Sequence, residues 1–280
     1  MRSRKNLISE ANEILSKISK NKREVYFIHY SCESFSDVKD GLSPKIASIS
    51  ILNLESEQTH SFSIHQFAEQ EKITDINIIK DNYLNFEIKM LDCYFKYMKK
   101  ICKNRNTIIL HWNMKDSAYG FIALENRFRV LKGKPFSVRD DYKINISNIL
   151  YNLFGDKYID KPKLMNIIKY NNYSCNDLMS GEEEAKCFEN GDYLKLHNST
   201  LKKVRIFSYI INDLMLKKLK RKSNYFQENG ITFETFTNYL TQNSISKFIL
   251  FIFAIIGFIS SFKPIPEILK KFLNWWRITF

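Results

Sequence analysis

The sequence predicts an α/β domain with a mixed sheet and flanking helices, followed by a C-terminal transmembrane helix. Strand-like runs come first along the chain and helical runs follow, an order typical of such domains. Near the C-terminus, residues 248–262 form a run of fifteen residues without a charge. The predicted organisation is an N-terminal amphipathic helix over 1–24, an α/β domain over 25–222, a linker over 223–243, a transmembrane helix over 244–262 and an interfacial amphipathic tail over 263–280.

Each element of the α/β domain follows from its pattern. β-Branched and aromatic residues predict a meander of three strands over 25–30, 45–53 and 58–65. A stripe of apolar residues predicts a helix over 73–103, and the aliphatic run 107–111 predicts a further strand. Helical patterns then cover 117–131, 145–154, 163–170, 181–190 and 197–222, with Pro135, Gly155 and Pro162 between them as loop or cap positions.

Composition narrows the class of protein. An apolar content of 44% excludes a disordered chain, and 8 Gly with 5 Pro exclude low-complexity architectures. The 5 Cys show no spacing typical of a zinc site. Lys and Arg outnumber Asp and Glu by 43 to 30, and the net charge of +13 favours a polyanionic partner, either nucleic acid or anionic lipid. The alternative is a coding bias towards Asn, Lys and Ile.

The C-terminal run predicts membrane insertion. A bilayer core about 30 Å thick needs about 20 mostly apolar residues, with a minimum near 17. Residues 244–262 meet that minimum because Lys247 can reach the interface, and Trp275 and Trp276 beside basic residues suit the headgroup layer. No apolar signal-peptide core follows the N-terminus. We therefore expect a single-pass C-terminal membrane anchor with the main domain cytoplasmic; a re-entrant hairpin and a buried core helix are the alternatives.

The segment IILHWNMKD, residues 108–116, carries the densest set of candidate functional groups. Its aliphatic part reads as a buried strand that ends in His111, Asn113 and Asp116. Ligands gather at such strand exits in open α/β sheets. The structural alternative is a strand followed by a helix start, with Asn113 or Asp116 as the N-cap.

The first predicted strand offers a second set of polar groups. Strand alternation places His29, Ser31 and Glu33 on one face of the sheet. If the two strand exits are adjacent, Glu33, His111 and Asp116 meet at the C-terminal edge of the sheet.

An acidic strand exit, a meander, a helix and then His111-x-Asn113-x-x-Asp116 resemble the DnaQ-like (DEDD) exonucleases, which have the RNase H-like fold. In that family the first strand carries Asp-x-Glu, and the next motif has five residues from His to Asp. His111 and Asp116 keep that spacing, although the Asn lies one position late. The resemblance covers residues 25–215.

Later elements extend the resemblance. Residues 145–154 and 163–170 resemble the two helices that follow the second motif in the family. His197 falls where the family has a His five residues before its last Asp. The resemblance implies an RNase H-like mixed sheet and hydrolysis through two divalent cations, Mg or Mn, held by four carboxylates.

Only two of the family's four carboxylate positions carry a carboxylate in this sequence. Glu33 and Asp116 match the family and are the implied metal ligands and catalytic groups, with His111 and His197 as further catalytic candidates. Ser31 stands where the first Asp belongs and Lys202 where the last one belongs. Two carboxylates beside a lysine offer too few oxygen ligands for two hard cations.

Several uses of the remaining polar groups stay open. They can hold one metal through two His and a carboxylate, act as a metal-free acid/base pair, or bind a nucleotide without cleaving it. The opposing interpretation is that the histidines are structural and the domain is a pseudo-enzyme. The set comprises His29, Glu33, His111, Asn113, Asp116 and His197, and Ser31 is a further candidate for ligand binding.

Two arginines follow the second motif on a predicted helix. Glu125 and Arg129 have the spacing of a helical ion pair. The alternative is that Arg127 and Arg129 bind a phosphate.

The leading functional hypothesis is a membrane-anchored, divergent DnaQ-like domain that binds a nucleic acid or nucleotide, and hydrolyses it if the site is complete. The second is a non-enzymatic membrane effector of the defence or toxin type, whose soluble domain senses a ligand or partner and whose C-terminal segment perturbs the membrane. A scaffolding membrane protein with a relic fold is the third. Expected partners are nucleic acid or nucleotide, the lipid bilayer and a second copy of the chain.

The incomplete carboxylate set predicts weak or absent exonuclease activity on DNA with magnesium. Any hydrolysis should need Glu33 and Asp116 together, so either single Ala substitution should remove most of the rate and the double substitution should add little. Digestion of labelled DNA by wild type, Glu33→Ala, Asp116→Ala and the double variant measures this. Activity that survives Asp116→Ala would show that the site lies elsewhere.

Overall fold

The computed structural model describes residues 3–34, 43–115, 118–230, 233–242 and 244–261. The chain divides into two compact units, Met1–Ser223 and Asn224–Phe280. The first is an α/β fold in which helices flank a five-stranded mixed sheet. Within the described residues, the second contains helices only.

The sheet is a meander extended by parallel strands. Its strands are β1 (Val25–Cys32), β2 (Ile46–Asn53), β3 (Thr59–Ser63), β4 (Ile108–His111) and β5 (Lys143–Asn145), in the spatial order β3-β2-β1-β4-β5. The β1–β2 and β2–β3 pairs are antiparallel, and the β1–β4 and β4–β5 pairs are parallel. The carboxyl ends of β1, β4 and β5 therefore share one edge.

Nine helices belong to the described part of the first unit. They are α1 (Arg4–Lys20), α2 (Ile64–Gln70), α3 (Ile76–Asp81), α4 (Tyr83–Ile101), α5 (Phe121–Val130), α6 (Ile146–Phe154), α7 (Lys163–Tyr170), α8 (Gly181–Asn190) and α9 (Tyr193–Met215).

Each face of the sheet has its own apolar core. Ile28 and Tyr30 of β1 pack with α4 and α5, whereas Phe27 packs with α1, α6 and α9. This division follows from the alternation of side chains along a strand. We refer below to the α4/α5 face and the α9 face of the sheet.

Several details of the predicted elements change: α2 was not predicted, and the helix predicted over 197–222 is α9, Tyr193–Met215. The predicted helix over 73–103 is broken at Asn82, which ends α3 and precedes α4. Asp75 starts α3 by accepting hydrogen bonds from the N–H groups of Asn77 (2.7 Å) and Ile78 (3.2 Å). Strand β5 was not predicted, because three residues are too few to show an alternating pattern.

Gly191 is required where α8 ends. Its φ of +83° lies in the left-handed region. A Cβ at this position would also lie 2.6 Å from Cγ1 of Ile76. Only glycine meets both conditions without strain, so α8 can turn directly into α9.

A buried ion pair joins α4, α5 and the start of β2. Glu87 is fully buried, and its Oε2 lies 2.6 Å from Nη2 of Arg127. Its Oε1 accepts hydrogen bonds from Nε of Arg127 (2.9 Å) and the N–H of Ile46 (2.7 Å). Burial raises the pKa of Glu87, and the bidentate guanidinium opposes that rise.

The second unit contains α10 (Tyr225–Asn229), α11 (Phe233–Gln242) and α12 (Ser244–Ser261). The rings of Tyr225, Phe226 and Tyr239 form a cluster between α10 and α11. Helices α10 and α11 thus lie within residues 223–243, the predicted linker. The predicted tail over 263–280 lies outside the described residues.

The prediction of a transmembrane helix over 244–262 is wrong. Among the helices that the structure describes, none has the length and apolar character needed to cross a membrane. The described part of helix α12 has 18 residues. Its first turn also contains Lys247. The fold class is corrected to an α/β fold without that helix, and the predicted C-terminal anchor and membrane localisation are not supported.

The Glu87–Arg127 pair gives a stability prediction. Arg127→Met should lower the free energy of unfolding by about 3–5 kcal/mol, because it leaves a buried carboxylate without a partner. Arg127→Met combined with Glu87→Gln should lose less, since no charge stays buried. Chemical denaturation measures both variants.

Arg129→Met on the same helix is the control for that measurement. Arg129 pairs with Glu125 at 2.8 Å, but half of its side chain is exposed. Its loss should cost less than about 1 kcal/mol. Equal losses for Arg127→Met and Arg129→Met would contradict the role of burial.

Candidate functional site

Parallel pairing places the exits of β1 and β4 side by side. Val25 pairs with Ile108 and Ile28 with His111, so both strands end at the same edge of the sheet. The prediction that these exits are adjacent is confirmed. Asp116, which follows β4, lies outside the described residues.

His111 is on the opposite face of the sheet from His29. It pairs with Ile28 and therefore shares the α4/α5 face, where its ring packs edge-on against Phe121 at 5.5 Å. Its Nδ1 accepts a hydrogen bond from the N–H of Met114 at 3.1 Å. Burial, with Lys115 and Lys143 nearby, lowers the pKa of His111 to about 4. This is the environment of a neutral structural histidine.

His197 also lies on the α9 face of the sheet, but it packs over β2 and not at the end of β1. Its Nδ1 is 2.8 Å from the hydroxyl of Ser48, and its ring lies 4.8 Å from that of His65. Burial, with a smaller effect from the nearby His65, lowers the pKa of His197 to about 4. The three predicted histidines therefore occupy three separate environments and form no common site.

A cavity of about 370 Å³ opens at the end of β1, beside the residue stretch after β4 and helices α8 and α9. Its lining includes four of the predicted residues, His29, Ser31, Glu33 and Asn113. Side chains that the sequence did not single out complete much of its wall: Cys32, Trp112, Tyr119, Glu184 and Lys203.

An ion pair lies in the cavity wall. Nζ of Lys203 is 2.6 Å from Oε1 of Glu184, and both side chains are about nine-tenths buried. The same carboxylate oxygen accepts a hydrogen bond from the hydroxyl of Ser199 at 2.7 Å. The cavity thus holds a fixed positive charge on α9, in contact with a fixed carboxylate on α8.

His29 is held in one tautomer. The hydroxyl of Tyr119 donates to the carbonyl of Tyr30 at 3.0 Å, so Nδ1 of His29 must donate to the Tyr119 oxygen at 3.1 Å. Nε2 then carries a lone pair, and among the described residues it has no hydrogen-bond partner. Burial and the charge of Lys203 hold the pKa of His29 well below its usual value.

The two positions that lack the family's carboxylates have other uses here. The hydroxyl of Ser31 accepts a hydrogen bond from the Thr200 hydroxyl at 3.1 Å, which ties β1 to α9. Lys202 faces away from the cavity, and its Nζ donates to the Ser174 hydroxyl at 3.2 Å. The lysine that reaches the cavity is its neighbour, Lys203.

Glu33 is engaged by the chain that returns to β2. Its Oε1 accepts from the N–H of Lys45 at 3.0 Å, and its Oε2 lies 4.0 Å from that lysine's Nζ. The carboxylate therefore has a partner before any ligand enters.

Asn113 holds the ends of β4 and β5 together. Its backbone has a φ of +53°, a conformation that Asn tolerates. Its N–H donates to Oδ1 of Asn145 (3.2 Å), and its Oδ1 accepts from Nδ2 of that residue (3.1 Å). Because both hydrogen bonds are internal, Asn113 acts first as a structural link beside the cavity.

The arginines after the second motif serve structure as well. Arg127 is the buried partner of Glu87, and no phosphate role is needed to explain its position. The predicted helical ion pair between Glu125 and Arg129 is confirmed at 2.8 Å.

The described residues of the cavity support few kinds of chemistry. Burial raises the pKa of the Cys32 thiol to about 12, with nearby Glu184 and Glu33 adding to the rise, so this thiol is neutral and a poor nucleophile. Across the described ranges, no three His, Cys, Asp or Glu side chains come together to hold a metal ion. The described donor set does not fit the two-cation centre that the resemblance implies.

No protein-family model, curated protein or solved structure matches this chain. The DnaQ-like family thus remains a prediction from the motifs, and the site must be interpreted from its own geometry.

The lowered histidine pKa values give a prediction for stability against pH. In the unfolded chain a histidine takes up a proton near pH 6.5, whereas folded His111 and His197 do so only near about 4. Their contribution is fully present above about pH 6.5 and is lost as the pH falls towards 4, with a slope of about 1.4 kcal/mol per pH unit for each.

Urea denaturation between about pH 7 and 5 measures this slope. His111→Gln and His197→Gln should each remove one histidine's share of it. The exposed His60, changed to Gln, is the matched control and should leave the slope unchanged. A wild-type stability that does not fall over this range would contradict the burial of neutral histidines.

Proposed function

We propose that the first unit is a divergent DnaQ-like domain that binds a nucleotide or the end of a nucleic acid in the cavity, without hydrolysis through two metal ions. Its strand order supports the family assignment. A three-stranded meander, extended beside its first strand by parallel strands, is the arrangement of an RNase H-like sheet. Binding without cleavage is the activity of a sensor or a pseudo-enzyme.

The observation that carries the proposal is the Lys203–Glu184 pair in the cavity wall. A buried ammonium supplies a permanent positive charge at the edge where the resemblance expects bound cations. Nζ of Lys203 has three N–H donors, one of which Glu184 engages, so the others can donate to a phosphate oxygen. Such contacts need no divalent cation.

The charge balance of the cavity permits an anion. Each of its two described carboxylates already has a cationic neighbour, Lys203 for Glu184 and Lys45 for Glu33.

The size and walls of the cavity suit a nucleotide. Small-molecule sites measure roughly 300–1,000 Å³ and combine apolar walls with a few polar groups, and this cavity has about 370 Å³. The rings of Trp112 and Tyr119 line it. Aromatic faces of this kind stack with bases irrespective of sequence.

Calorimetric titration with nucleoside 5′-monophosphates in EDTA tests the proposal. We expect binding that persists without magnesium. Lys203→Met combined with Glu184→Gln should weaken it about tenfold or more, equivalent to about 1.4 kcal/mol. Changing both partners avoids leaving one buried charge alone.

Lys202→Met combined with Glu182→Gln is the matched control. It removes the same two charges from the neighbouring positions on α9 and α8, where Lys202 faces away from the cavity. Affinity should stay within about twofold of wild type. Absence of nucleotide binding, equal losses in the two double variants, or rapid magnesium-dependent hydrolysis would each contradict the proposal.

A further inference from the structure

Two segments distant in sequence form one basic surface on the first unit. The N–H of Lys220 donates to Oδ1 of Asn171 at 2.7 Å, and Nδ2 of Asn171 donates to the carbonyl of Lys220 at 3.1 Å. The N–H of Lys222 donates to the carbonyl of Tyr158 at 2.9 Å. These hydrogen bonds place residues 213–222 along residues 156–171, and we call the combined surface the basic face.

The basic face carries a large part of the charge of the protein. It contains nine Lys or Arg and three Asp, a net charge of +6 out of the chain's +13. Two of its carboxylates pair with lysines, Asp156 with Lys163 and Asp160 with Lys222. The third, Asp213, accepts a hydrogen bond from the Tyr173 hydroxyl.

Most cations of the basic face are available to a ligand. Within the part of the chain that the structure describes, six lysines here have no carboxylate within ion-pair distance, and all six are exposed. They are Lys157, Lys161, Lys169, Lys217, Lys218 and Lys220.

Aromatic side chains accompany these charges. Tyr170, next to Lys169, is 43% exposed. The guanidinium of Arg221 lies over the ring of Phe154 at 4.3 Å. Exposed rings among unpaired cations are typical of surfaces that bind single-stranded nucleic acid, because the cations follow the phosphates and the rings stack with bases.

We propose that the basic face binds the sugar–phosphate backbone of a single-stranded nucleic acid. It is distinct from the cavity: α9 continues for twelve residues after Lys203, to Met215, roughly 18 Å at about 1.5 Å per residue, and the lysines that follow lie beyond that end. The inference goes beyond the proposed function and does not depend on it. An anionic lipid surface is the competing partner, and the basic face exposes little aliphatic surface besides Leu216 to enter a bilayer.

Fluorescence anisotropy of the full chain with a labelled oligothymidylate about 20 nucleotides long tests the proposal. The variant Lys169→Glu, Lys218→Glu, Lys220→Glu should bind about tenfold or more weakly. Losing three phosphate contacts should also reduce the slope of log K against log salt by about 2.

A triple variant at the end of α4 is the matched control. Lys99→Glu, Lys100→Glu, Lys103→Glu makes the same change in net charge on exposed residues of the α4/α5 face. Its affinity should stay within about twofold of wild type. The paired change Lys203→Met with Glu184→Gln should also leave oligonucleotide affinity within about twofold, even where nucleotide binding is lost.

Three results would overturn the proposal. Equal weakening by the two triple variants would mean that total charge, not the basic face, attracts the ligand. Wild-type binding to phosphatidylserine vesicles without binding to the oligonucleotide would assign the face to a membrane surface. Absence of binding to both would mean that the face is only solvated. Unchanged circular dichroism of the variants makes each result interpretable.

Discussion

The parallel pairing of β1 with β4 is the constraint on which the candidate site depends. It brings two strand exits to one edge of the sheet, and it also decides which side chains share a face. His29 and Ser31 lie towards α9, whereas His111 lies towards α5 because it pairs with Ile28. The same pairing therefore builds the cavity and separates the histidines that the motifs assign to one site.

Local patterns predicted most elements but not the register between them. The meander, the β4 strand and most helices after it were predicted within about four residues, since each has its own apolar period. The exception is α9, which was predicted over 197–222 and spans Tyr193–Met215. Predicting which residues of α9 reach the site also required the orientation of that helix, which depends on packing. Counting from His197 selects Lys202, yet the buried positions Leu196, Thr200, Lys203 and Phe207 follow helical spacing and select Lys203. That stripe was visible in the sequence and would have identified the correct lysine.

The C-terminal segment shows the limit of composition as a guide. A run of fifteen uncharged residues satisfied a hydropathy argument, but α12 begins with a turn that contains Lys247. Among the described residues, no helix is long and apolar enough to cross a membrane. The net positive charge was similarly ambiguous, because the sequence alone does not show which lysines share a surface. The excess of lysine is spread through the sequence, and only the contacts of Asn171 with Lys220 reveal that much of it lies on one surface.

The Glu87–Arg127 pair also governs how this domain assembles. Glu87 comes from α4, Arg127 from α5 and the N–H of Ile46 from β2, and all three meet at one buried carboxylate. A partly folded chain in which only one helix has docked would leave a desolvated charge without its counterpart, at a cost of several kcal/mol. Docking of each of these elements around the carboxylate therefore strengthens the docking of the other two.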